Sequence, residues 1–100
     1  MKHFVVEIIY TVPVEQLGDI LPEHRAFLKT GYEKGLLLFS GPKEPRVGGI
    51  AICRAPSLDV IQEFFAHDPY ALHKVATHHY TEFNPVLRQA FMEDWVTKDE

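Results

Sequence analysis

His24, Asp68 and Ser40 are the side chains of this 100-residue sequence whose types and settings could carry chemistry. His24 follows Ile20 and Leu21 by four and three residues and precedes Phe27 and Leu28 by three and four. That spacing puts it inside the apolar stripe of a helix that must face a sheet. Histidine titrates near neutrality and suits general acid–base work. The same position suits a hydrogen-bonded histidine that only packs, and the sequence leaves both readings open. Asp68 follows the end of a second expected helix, where the negative pole of the dipole disfavours a lone carboxylate. It also precedes Pro69, so it can N-cap a short turn with proline in first position. A cap uses one carboxylate oxygen and leaves the other for a partner. At Ser40-Gly41-Pro42, Gly41 permits close approach of backbone to a ligand and Ser40 offers a hydroxyl. An ordinary turn accounts for that segment equally well.

Other constellations fail. His78 and His79 are neighbours on an expected strand, so they point to opposite faces and cannot chelate one metal. No metal site is expected. Cys53 sits in mid-strand with no local base and reads as a small core residue. Gly48-Gly49 lacks the strand-to-helix context of a phosphate-binding loop.

The elements that must position these residues are set off by prolines and glycines. Phe4 to Thr11 is rich in β-branched and aromatic residues and reads as a strand with apolar residues on both faces. Pro13 to Leu17 reads as a helical turn. Asp19 is expected to cap a helix that runs to about Lys34 and stops at Gly35. Leu36 to Phe39 and Val47 to Arg54 read as strands, with Ser40-Gly41-Pro42 turning out of the first. Ser57 should cap a helix carrying Leu58, Ile61, Phe64 and Phe65. Pro69 to Lys74 reads as a short turn and Val75 to Phe83 as the last strand. Asn84-Pro85 should cap a final short helix through about Met92. The order is βαββαβ, an α+β ferredoxin-like arrangement with a four-stranded antiparallel sheet and the helices on one face. The doubly apolar first strand implies that the other face is covered by a second copy, so a homodimer is expected.

Composition bounds the rest. A hydrophobic content of 46% and a charged content of 24% fit one globular domain over residues 1–100. The net charge of −4 and the scattered basic residues argue against nucleic acid or an acidic membrane as partner. A single cysteine points to a reducing, cytoplasmic setting, and Glu7 interrupts the first apolar run too early for a signal peptide. No apolar stretch approaches the roughly 20 residues of a membrane helix.

Three segments in order carry a family resemblance. They are Leu21-Pro22-Glu23-His24-Arg25-Ala26-Phe27-Leu28 leading through Tyr32-Glu33-Lys34-Gly35-Leu36-Leu37-Leu38-Phe39-Ser40-Gly41-Pro42, then Gly48-Gly49-Ile50-Ala51-Ile52 leading through Ser57-Leu58, then His67-Asp68-Pro69-Tyr70. Together they resemble the YciI-like (YCII-related) family over roughly residues 4 to 86, with a C-terminal helical extension at about 85–95 beyond it. The resemblance implies a dimeric α+β barrel and a histidine–aspartate acid–base pair falling on His24 and Asp68. It places Ser40, Gly41 and Tyr70 beside them in a pocket for a small molecule. A related dehydrochlorinase implies proton transfer or elimination on a small ring or carbonyl compound, the work of a lyase or isomerase without metal or organic cofactor. Phe91 and Trp95 in the extension are expected to cover a pocket or a subunit edge. Two alternatives stand beside this reading. One is a non-catalytic small-molecule-binding or interaction module, and the other is a monooxygenase-like barrel by analogy of fold alone.

Overall fold

The computed structural model describes residues 1–98. Nine residues, Lys2–Tyr10, form strand β1 at the centre of a four-stranded antiparallel sheet ordered β2-β3-β1-β4. Its neighbours are β3 (Gly48–Ala55) and β4 (Ala76–Phe83), and β2 (Leu37–Pro42) forms the far edge. Alternation along β1 sends Phe4, Val6 and Ile8 into the interior and Val5, Glu7 and Ile9 to the opposite face. Helix α1 (Ile20–Glu33) and helix α2 (Leu58–Phe65) cover the inner face, followed by the four-residue α3 (Pro69–Leu72).

The interior divides into two clusters. One gathers Phe4, Val6, Cys53, Ile61 and Phe65 beneath α2. The other gathers Ile8, Leu17, Tyr70 and Ala76 towards α3. Burial of a side chain such as Phe4 stabilises the fold by about 1.5–3 kcal/mol. Burial also pushes the Cys53 thiol up to about 12, so it stays protonated and inert, as a core residue should.

Local chemistry explains where the elements begin and end. The Ser57 hydroxyl accepts the Val60 N–H at the start of α2, the cap expected from its sequence. Gly35 ends α1 with a positive φ of 74°. Asp19 does stand at the N-cap position of α1, but its own backbone is helical there and its side chain makes no capping bond. A cap needs an extended backbone to aim its oxygen back at the helix N–H groups, so position without that conformation does not suffice.

Two expectations at strand ends are corrected. β2 does not stop at Phe39, because Ser40, Gly41 and Pro42 remain paired with Ala51, Ile50 and Gly49. Nor does Asn84-Pro85 open a helix. Residues 84–89 are irregular, a single 3₁₀ turn forms at Ala90–Met92, and helix α4 covers Glu93–Thr97. Gln89, with extended backbone, precedes that turn instead of Asn84.

Gly48 shows why its strand is spelled with two glycines. A Cβ there would fall 1.9 Å from the backbone carbonyl oxygen of Ile8, in the neighbouring strand. Gly48→Ala is therefore expected to cost about 1–3 kcal/mol in urea unfolding. Gly41→Ala, which meets nothing within 4 Å, should change stability by less than about 0.5 kcal/mol. Equal effects at the two positions would contradict the close approach of β1 and β3.

Candidate active site

A buried carboxylate tied to two imidazoles lies at the seam between the two clusters. The backbone of Asp68 is extended, so its side chain caps α3 by accepting the Tyr70 N–H at 3.0 Å. The same oxygen lies 2.7 Å from His24 Nδ1, and the other lies 2.9 Å from His78 Nε2. Asp68 is wholly buried, and His24 is 7% exposed. Burial acts to raise the Asp68 carboxyl, but the bonds from His24 and His78, the charge of His24 and the Tyr70 N–H outweigh it. The carboxyl is held below its ordinary value of 3.8.

An ionised carboxylate only accepts hydrogen bonds. Both facing ring nitrogens must then carry protons, which fixes Nδ1–H on His24 and Nε2–H on His78. His24 Nε2 is left with no protein partner among the described residues, and His24 lines a cavity. Tyr70 sets the plane of the ring by stacking on it, with centroids 3.8 Å apart and planes within 6°. Phe65 lies 5.4 Å from the His78 ring, so that imidazole is bounded by the core as well.

The cavity measures about 310 Å³ and opens between α1, α3 and the β2–β3 edge of the sheet. His24, Ser40, Gly41 and Tyr70 all line it, so four of the five residues singled out in the sequence share one wall system. The fifth, Asp68, stands behind His24. Ser40 reaches the cavity because of an irregularity in β2. Leu37 pairs with Cys53 and Phe39 with Ile52, so Leu38 is an extra residue in the register. The bulge turns Phe39 outward to 61% exposure and returns Ser40 to the inner face, opposite Ala51. The Ser40 hydroxyl bonds the Tyr32 hydroxyl at 2.7 Å, which joins α1 to β2 at the rim.

Two residues were missed in the sequence. The alternation that separated His78 from His79 gave no sign of which one faces inward. In β4 it is His78, while His79 pairs with Glu7 in register and is exposed. Arg46, in the loop between β2 and β3, lines the cavity and carried no periodic signal. Among the described residues no three His, Cys, Asp or Glu side chains converge to hold a metal ion, and no helix is long and apolar enough to cross a membrane.

The C-terminal extension lies away from the cavity. Trp95 packs under the Arg54 guanidinium at 3.7 Å, and its carbonyl accepts from Arg54 Nη1 at 3.0 Å. His3 Nε2 donates to the Val96 carbonyl at 3.2 Å. His3 and Arg54 are register partners on the outer face of the sheet, so the extension straps one end of that face. Phe91 is 82% exposed and covers no pocket or edge among the described residues.

The antiparallel sheet, the helices on one face and the cavity between them define a ferredoxin-like α+β protein with an enclosed His–Asp pair. The chain belongs to the YCII-related family, whose domain model matches residues 3–84. Among solved structures it is similar to the 5-chloro-2-hydroxyhydroquinone dehydrochlorinase of Burkholderia phenoliruptrix AC1100, in complex with 2,5-dihydroxybenzoquinone. The two superpose with a TM-score of 0.68 at 18% identity, over 81% of this chain and 92% of the other. No functionally curated protein matches the chain.

Proposed function

We propose that the protein is a small-molecule acid–base enzyme, a lyase or isomerase acting on a small ring or carbonyl compound. The observation that carries this reading is the 2.7 Å bond from His24 Nδ1 to buried Asp68, with His24 itself on the wall of a cavity. His24 Nε2 would take a proton from a ring carbon acidified by a neighbouring carbonyl or hydroxyl. The electron pair released would enter the conjugated system. It would then either expel a leaving group, which is elimination, or be reprotonated at another carbon by the same imidazole, which is isomerisation. Asp68 would stabilise the imidazolium between these events and keep the ring oriented. Tyr70 would fix the ring plane by stacking, while Ser40 and Gly41 would contact substrate at the rim. The likeness in fold to a dehydrochlorinase supports the choice of reaction class.

The test is incubation with small carbonyl and phenolic ring compounds in D₂O, followed by NMR for deuterium bound to carbon. Enzyme-dependent incorporation that disappears in His24→Gln is expected. Absence of exchange and of turnover across such a panel would remove the acid–base reading and leave a binding module.

A second copy would complete the sheet. The outer face carries Val5, Ile9, Ile50, Ile52 and Phe39, with Phe39 61% and Ile50 41% exposed. Apolar side chains in such a patch mark an interface. Sedimentation at micromolar concentration should show a species of twice the 11.5 kDa chain mass. Sedimentation as the 11.5 kDa species alone would count against it.

A further inference from the structure

We propose that the cavity takes a ring compound bearing an acidic oxygen, a carboxylate or a phenolate, and that Arg46 anchors that oxygen. The inference rests on the acid–base reading of the site and names the class of substrate it would take.

Charge distribution is the first observation. The chain carries a net charge of −4, yet the cavity wall includes Arg25, Lys29 and Arg46 and no Asp or Glu. A cavity lined by one sign of charge with apolar walls concentrates ligands of the opposite sign. The second observation is an unsatisfied group. Arg46 Nε is buried and has no hydrogen-bond partner among the described residues, whereas the Tyr70 hydroxyl, also buried, pairs with Tyr10. A buried polar atom left unpaired costs about 1–3 kcal/mol. Arg46 belongs to the cavity wall. An oxyanion there would accept from the Arg46 guanidinium, whose Nε–H the chain leaves unpaired.

Guanidinium can only donate, so its natural partner is an acceptor, and its planar fork fits a carboxylate best. The remaining wall suits a ring. Leu21, Leu28 and Ile8 supply apolar surface and Tyr10 an aromatic one, in a volume at the small end for ligand sites. An acidic oxygen held by Arg46 would also keep a conjugated carbanion's charge near a cation while His24 holds the proton.

The probes are benzoate and 4-nitrophenolate, with benzamide as the neutral counterpart, titrated into the full chain and followed by amide NMR. At least one anion should bind about tenfold or more tightly than benzamide, and its binding should shift the Arg46 Nε–H resonance. The two anion arms tell carboxylate from phenolate. Arg46→Gln should abolish the preference by weakening the anion about 10–100-fold while leaving benzamide unchanged. Arg46→Lys, which keeps the charge without the fork, should recover part of it. Benzamide binding as tightly as both anions would overturn the proposal, as would an anion indifferent to Arg46→Gln. The acid–base reading would survive either result, with a neutral substrate. Failure of all three probes to bind would overturn it too. Deuterium incorporation, which requires no anionic substrate, then decides separately whether the acid–base reading falls with it.

Discussion

His24→Ala is expected to reduce turnover about 10²–10⁴-fold, the usual contribution of a positioned general base, while the chain stays folded. The asymmetry follows from how Asp68 is satisfied. Removing the imidazole takes one of three hydrogen bonds from the carboxylate, but His78 Nε2 and the Tyr70 N–H remain. The stability lost is then about 1.5–3 kcal/mol, the worth of a hydrogen bond to a charged group. A typical domain has 5–15 kcal/mol to lose, by the usual range of about 0.05–0.15 kcal/mol per residue. Turnover assays beside urea unfolding of the same variant separate the two quantities. Unchanged turnover, or a variant that unfolds outright in both Ala and Gln forms, would make His24 a packing residue.

Asp68→Ala is expected to be the most costly single change at the site, at about 3–5 kcal/mol. It strands two buried imidazoles and removes the cap of α3 together. Stability should also depend on pH through this carboxyl. Because the folded state holds it below the ordinary 3.8, the native protein releases this proton where the unfolded chain still retains it. The unfolded state therefore binds more protons in that window, and stability rises with pH there. The contribution is full above about pH 4 and is lost as pH falls through the folded value. Asp68→Asn should remove this part of the acid limb in urea titrations at stepped pH. An identical acid limb in the variant would show that the carboxylate contributes no such linkage. The Nδ1–H proton of His24, expected far downfield in NMR while it faces the carboxylate, should be lost or shifted in the same protein.

How much of this was legible in the sequence depends on the range of the signal. Helical spacing placed His24 among Ile20, Leu21, Phe27 and Leu28, and the Asp-Pro step gave Asp68 its cap, because both are local patterns. The strand and helix order was legible for the same reason. The bulge at Leu38 was not, since strict alternation from Leu37 would bury Phe39 and expose Ser40, the reverse of the observed faces. His78 was half-legible. Alternation told it from His79, but only the tertiary arrangement of β4 against β1 and α3 decides which ring meets Asp68. Arg46 lies in a loop, where neither period applies and only the path of the chain brings it to the cavity. The Asn84-Pro85 signal misled because a cap needs an amphipathic run after it to fold against. Val86, Leu87 and Phe91 instead stand exposed.

The seat of Trp95 beneath Arg54 bears on how unfolding of this protein is observed. Trp95 is the sole tryptophan, and it belongs to the strap rather than to either core cluster. Its emission will thus signal when the strap leaves the sheet, whereas circular dichroism in the peptide region will signal loss of the strands. A segment held by a cation–π contact and a few hydrogen bonds can open at a lower denaturant concentration than the sheet beneath it. Two transitions that fail to coincide would then mark a detached strap on an intact sheet, and a single-probe midpoint from fluorescence would understate the stability of the domain that carries the site.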